Sequence, residues 1–108
     1  MLEELHQKLI AANNFELVAH YENWYILLRA SGARGRLTCY WSHEEDAVGY
    51  NYPTRLWDSA PDINALEEAM KSRGLPLSKI PLHLWHEDPR PDAEERRLKK
   101  MLSEHQKQ

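Results

Sequence analysis

The chain has 108 residues, of which 42% are hydrophobic and 29% are charged, and its formal net charge is −3 at pH 7. This length fits a single domain, and the composition excludes collagen-like, mucin-like and low-complexity proteins. The acidic balance gives no overall positive field that would attract nucleic acid or anionic lipid. The single cysteine, Cys39, excludes an internal disulfide and a cysteine-cluster metal site.

Two features of the sequence indicate in which cellular compartment the protein is expected. The first residues, Met-Leu-Glu-Glu-Leu, lack the basic and apolar regions of a secretory signal peptide. No apolar run approaches the ~20 residues that a membrane span needs. We therefore expect a cytoplasmic protein with a reduced thiol and no membrane partner.

The first predicted element is a helix over residues 2–13. Its leucines and Ala12 recur at helical spacing and form one apolar stripe. Asn13 and Asn14 mark its end, because Asn tolerates the left-handed conformation that often closes a helix.

Residues 15–31 predict a β-hairpin. Apolar side chains recur at every second position on both sides of residues 22–23, which indicates two strands joined by a two-residue turn. In this register Glu16 pairs with Arg29 on the second face. The predicted apolar pairs are Leu17–Leu28, Ala19–Ile26 and Tyr21–Trp24.

The same alternation predicts two further strands. A loop over residues 32–35 contains two glycines that can adopt positive φ, and it leads to a third strand. A second loop over 43–46 leads to a predicted fourth strand over 48–52, which Pro53 ends. The predicted pairs are Leu28–Cys39 and Ile26–Trp41 for the third strand, and Trp41–Val48, Cys39–Tyr50 and Leu37–Tyr52 for the fourth.

The second half of the chain alternates between loops and helices. Residues 53–62 form a predicted loop that carries Leu56 and Trp57. Asp62 is a good N-cap for a second helix with Ile63, Leu66 and Met70 on its apolar stripe, and Gly74 ends that helix.

The C-terminal region predicts an irregular arm and a last helix. Residues 75–91 hold four prolines, so no long helix crosses them, although 81–85 fit a short edge strand. Asp92 and Glu95 form a capping signal for a helix over 92–105. The narrow apolar stripe of that helix consists of Leu98, Met101 and Leu102.

These elements predict one α+β domain over residues 1–108. The two main helices each have one apolar stripe, and the sheet has one apolar face. Burying these surfaces together gives a four-stranded antiparallel meander with helices packed on one face. The order is α-β-β-β-β-α, followed by the proline-containing arm and a C-terminal helix.

The face of the sheet opposite the apolar one, here called the second face, is a candidate binding surface. It is less polar than a fully solvated face should be. Tyr and Arg are enriched in protein-binding hot spots, but they also stack bases and hold phosphates in single-stranded nucleic-acid binders. In a third interpretation the arm folds back and covers this face. The candidate residues are His20, Tyr25, Leu27, Arg29, Arg36 and Tyr40.

Two other surfaces are weaker candidates. The stripe of the last helix, with Leu98, Met101 and Leu102, could pair with a partner helix. His83 and His86 are spaced for a metal-dependent enzyme only if they lie on a helix, which Pro81 and Pro89 disfavour.

No cofactor or nucleophile motif is present, and Cys39 is expected to be an inert buried thiol. The sequence therefore predicts a non-catalytic module without cofactor or metal that binds another protein or a second copy of itself. Nucleic acid is the alternative partner, which the acidic net charge disfavours.

Overall fold

The computed structural model describes residues 1–31, 35–49, 54–87 and 102. Its helices are α1 (Leu2–Ile10) and α2 (Ile63–Ser72), and its strands are β1 (Glu16–Tyr21), β2 (Trp24–Ser31), β3 (Arg36–Ser42) and β4 (Leu56–Ala60). Short 3-10 helices span Asn13–Phe15, Glu45–Gly49, Leu77–Lys79 and Leu82–Leu84. The strands form one antiparallel sheet in the order β1-β2-β3-β4, which confirms the predicted α+β class.

The predicted register of the first three strands is confirmed. Leu17 lies opposite Leu28, and Glu16 lies opposite Arg29. In the next ladder Leu28 pairs with Cys39. Within the loop before β3, residues 32–34 are not among the described ones, and Gly35 has a φ of +62°.

The predicted fourth strand over 48–52 is wrong. Val48 lies in the 3-10 helix Glu45–Gly49, residues 50–52 are outside the described part, and β3 pairs instead with β4, which falls in the predicted loop. The observed pairs are Leu37–Ala60, Thr38–Ser59, Cys39–Asp58, Tyr40–Trp57 and Trp41–Leu56.

A polar residue on the core face explains why the alternation of apolar residues in the sequence does not predict β4. Asp58 lies opposite Cys39, at a position where the pattern requires an apolar side chain. Arg73, just after α2, compensates that carboxylate, because its Nε lies 3.3 Å from Asp58 Oδ2. This partner is distant in sequence, so local periodicity cannot reveal it.

One core lies between the sheet and the helices. Leu5 and Leu9 of α1 and Leu66 and Met70 of α2 are fully buried against the core face of the sheet. The predicted N-cap of α2 is confirmed, since the Asp62 carboxylate accepts a hydrogen bond of 2.8 Å from the Ala65 backbone N–H.

The described part of the arm belongs to this same core. Leu77, Ile80 and Trp85 are fully buried in it, so the interpretation in which these residues cover the second face is wrong. The predicted edge strand over 81–85 is also wrong, because Leu82–Leu84 form a 3-10 helix. Strand-like pairing begins one residue after the predicted segment, where His86 bridges Val18 of β1.

The predicted helix over 92–105 lies outside the described residues, and so do Leu98 and Met101. Leu102 is helical and 61% exposed. Within the described ranges, no helix is long and apolar enough to cross a membrane.

Candidate binding face of the sheet

We call the face of the sheet that points away from α1 and α2 the outer face. Alternation along the strands places the predicted candidate residues on it, and β4 adds two that the sequence did not indicate, Trp57 and Ser59. The side chains of this face are Glu16, Val18, His20, Tyr25, Leu27, Arg29, Arg36, Thr38, Tyr40, Trp57 and Ser59.

One part of the outer face is covered. Leu27 is only 3% exposed, although it points away from the main core. The 3-10 helix Glu45–Gly49 packs against β2 and β3, and its buried Ala47 and Val48 do not belong to the main core. We infer that this segment covers Leu27. On this inference the outer face has two open regions, one near the β1–β2 turn and one beside β4.

The region beside β4 is built around Tyr40. The guanidinium carbon of Arg55 lies 4.2 Å from the Tyr40 ring centroid, and that of Arg29 lies 5.6 Å from it. Trp57, opposite Tyr40 in the ladder, is 57% exposed. A solvent-exposed indole therefore lies beside two arginines that contact one phenol ring, which is the composition of a protein-binding hot spot.

The arginines of this region differ in whether their positive charge is paired with a carboxylate. Arg29 lies 3.5 Å from the Glu16 carboxylate, as the register predicts. Arg36 donates from Nε to Ser59 Oγ at 3.1 Å. Among the described residues, neither Arg36 nor Arg55 forms an ion pair with a carboxylate. The outer face beside β4 thus carries two guanidinium charges that no acidic side chain of residues 1–31, 35–49 or 54–87 neutralises.

Arg55 is held in an unusual environment. Its Nε is buried and has no hydrogen-bond partner among the residues that the structure describes. Burial lowers the pKa of Arg55, and although Tyr40 acts in the opposite direction, the neighbouring charge of Arg29 lowers it further. Arginine still stays protonated in proteins. An incoming carboxylate would relieve the repulsion between Arg55 and Arg29, because an opposite charge stabilises both.

The region near the β1–β2 turn has its aromatic rings already stacked. His20 lies on Tyr25 with 4.3 Å between ring centroids, and His43 lies on Trp24 at 3.7 Å. The Nδ1 of His43 is 2.8 Å from the Asn23 carbonyl oxygen. His20, Tyr25 and His43 line a shallow depression together with Glu22 and Asn23, whereas Trp24 lies on the core side of β2. Stacking leaves fewer faces of these rings open to a partner.

The alternative metal site receives no support from the structure. His83 and His86 are both exposed, and the Nδ1 of His86 lies 2.8 Å from the Glu87 carbonyl oxygen. Across residues 1–31, 35–49 and 54–87, no three His, Cys, Asp or Glu side chains are grouped in a way that could hold a metal ion.

Cys39 is fully buried on the core face of β3. Burial raises the pKa of its thiol well above the ordinary range, and the negative charge of Asp58 raises it further. A protonated, inaccessible thiol is a poor nucleophile, as the sequence predicts for this position.

The chain matches no protein-family model, no curated protein and no solved structure.

Proposed function

We propose that the protein is a non-catalytic protein-binding module and that its contact surface is the outer face beside β4. The observation that carries this proposal is the exposure of Trp57 next to Tyr40 and Arg55. Trp, Tyr and Arg dominate binding energy at protein interfaces, because they combine large apolar area with directed polar groups.

Single-stranded nucleic acid is the second candidate, and the arginines of the outer face favour it. Two observations weigh against it. Tyr40 is already contacted by Arg55 and Tyr25 is already stacked on His20, so fewer ring faces are open to bases. The net charge of −3 also opposes a polyanion at long range.

A peptide-display selection tests the proposal. Random linear peptides displayed on phage are selected on the full chain, and the enriched peptides are then measured on a Trp57→Ser variant and a Phe15→Ser variant. Phe15 is a matched control, because it is also an exposed aromatic side chain, at 48%, but lies before β1. The proposal expects binding that falls at least about tenfold with Trp57→Ser and little with Phe15→Ser.

Two results would contradict the proposal. One is the enrichment of peptides whose binding ignores Trp57. The other is tight binding of an oligothymidylate with a steep salt dependence, since counterion release from phosphate contacts is the mark of a nucleic-acid binder.

A further inference from the structure

We propose that the partner segment is an extended acidic peptide that adds to the sheet along β4. It would carry two carboxylates four residues apart with an apolar side chain midway between them. This inference rests on the proposed function, because it names the kind of partner that the same surface takes.

The two edges of the sheet differ. The β1 edge is bridged by the arm, since Val18 N donates to His86 O at 2.7 Å and His86 N donates to Val18 O at 3.0 Å. The opposite edge is β4, and no residue of the described ranges pairs with its far side. An unpaired strand edge presents backbone donors and acceptors to which an extended peptide can add.

Exposed apolar side chains lie on both faces of this edge strand. Leu56 is 43% exposed on the core-face side, and Trp57 is 57% exposed on the outer face. Natural edge strands usually carry charges or prolines that prevent pairing. The only charged residue within β4 is Asp58, whose carboxylate is compensated by Arg73. Within β4 no charge without a partner therefore opposes strand addition, and the remaining protection is its short length and Pro61 just after it.

The spacing of two arginines beside β4, Arg55 just before it and Arg36 on β3, suggests the charge pattern of the partner. Arg55, Trp57 and Ser59 alternate along the strand, so they share the outer face, and Arg36 reaches Ser59 through its Nε. Four residues of strand span about 13 Å. Arg55 lies toward one end of that span and Arg36 toward the other, neither paired with a carboxylate of the described part of the chain, and the exposed indole lies in the middle.

A peptide strand beside β4 would repeat this spacing, because its side chains also alternate between the two faces. Carboxylates at its first and fifth positions would lie on the outer face at the two ends of this span, and Arg55 and Arg36 would have to turn from Tyr40 and Ser59 toward the edge to pair with them. An apolar third position would pack on Trp57. Pairing of guanidinium with carboxylate is charge-assisted and directional. An acid on the other face of the peptide would instead lie near Asp58, so we expect none there.

Synthetic peptides provide the probe. The first is capped Thr-Glu-Thr-Leu-Thr-Glu-Thr, and the second has Lys in place of both Glu residues. Titration calorimetry on the full chain should show the Glu peptide binding at least about tenfold more tightly than the Lys peptide. The double variant Arg36→Glu with Arg55→Glu should reverse that preference, and thermal unfolding of the variant shows whether the fold is retained.

Backbone methylation tests strand addition without changing the protein. Alternate N–H groups of a strand point to opposite sides, so one probe is N-methylated at both Glu residues and Leu, and another at the central two Thr residues. One of the two should lose at least about tenfold in affinity and the other should keep it. Equal effects, whether both probes bind or neither does, would contradict strand addition.

The outcomes separate the two proposals. Selected peptides that depend on Trp57 but bind equally well with Glu or Lys would leave the protein-binding function standing and overturn this inference. A dimer in sedimentation analysis that dissociates in Trp57→Ser would overturn it as well, because a second copy would then occupy the edge. An absence of any Trp57-dependent binder would contradict both.

Discussion

Trp57 lies directly opposite Tyr40 across the β3–β4 ladder, on the face of the sheet that points away from both helices. Directly paired residues of antiparallel strands have their Cβ atoms about 4.5–5.5 Å apart, so the two rings are neighbours. Because Arg55 contacts Tyr40 from the residue before β4, the edge strand brings an indole, a phenol and a guanidinium to one place.

The two tryptophans of β3 and β4 should respond differently to truncation. Trp41 is 2% exposed and lies in the main core, so Trp41→Ala should lower the free energy of unfolding by about 3–5 kcal/mol. Trp57→Ala removes a side chain that is largely in solvent, and it should cost less than about 1 kcal/mol. Urea unfolding of both variants measures the difference. Equal losses would contradict the assignment of the two faces.

The β1–β2 turn contains a strained residue. Glu22 has a φ of +55°, whereas Asn23 is not among the positive-φ residues. A left-handed conformation costs a non-glycine residue about 1–2 kcal/mol, and Gly adopts it without steric penalty. Glu22→Gly should therefore raise the free energy of unfolding by about 0.5–1 kcal/mol. Asn23→Gly is the control and should give no gain, so a larger gain there would contradict the turn geometry.

The bridge between the arm and β1 should be sensitive to proline. His86→Pro removes the N–H that donates to the Val18 carbonyl, and we expect a loss of about 1–2 kcal/mol in unfolding free energy. His86→Ala keeps the backbone bridge, and because His86 is exposed it should change stability by less than about 0.5 kcal/mol. Chemical denaturation of the two variants measures the loss of unfolding free energy in each. If His86→Ala costs as much as His86→Pro, the side chain and not the bridge stabilises the arm.

Cys39 should react with thiol reagents only through unfolding. It is fully buried, and burial raises the pKa of its thiol. Labelling with a disulfide reagent at neutral pH should be slow in water and should accelerate with urea in parallel with global unfolding. Fast, stoichiometric labelling of the native protein would show that β3 is accessible from the core side.

The same thiol should contribute to alkaline destabilisation. Its folded pKa is raised, whereas in the unfolded chain it ionises near the ordinary value of about 8.5. Above that value the unfolded state binds fewer protons, so stability falls as the pH rises, by up to about 1.4 kcal/mol per pH unit. Between about pH 8 and pH 10, Cys39→Ala should lose less stability than the parent chain. Identical pH profiles would contradict this contribution.

Alternation in the sequence predicts three of the four strands, because each core-facing position of β1, β2 and β3 is filled by a side chain that needs burial. It misplaces the fourth, since Val48 satisfies the pattern without being in a strand and Asp58 breaks it within one. The Arg73 side chain, which follows α2 and is distant in sequence, compensates Asp58 in a way that a local pattern cannot indicate.

The candidate surface is predictable to a similar extent. Tyr40 and Arg29 are found from their alternation with core residues. Trp57 and Arg55 are not, because the sequence places them in a loop. Their proximity to Tyr40 depends on the pairing of β3 with β4, which local patterns do not determine. The burial of Leu27 also depends on a long-range contact, the packing of the 3-10 helix Glu45–Gly49 on the sheet.

The most direct measurement is a map of backbone amide chemical shifts while the most enriched displayed peptide is titrated into the isotope-labelled chain. We expect the largest changes on β4 and on the neighbouring outer-face residues around Tyr40, and we expect Trp57→Ser to abolish them. Changes concentrated at the depression around His20 and His43, or at Leu102, with β4 unaffected, would contradict this expectation.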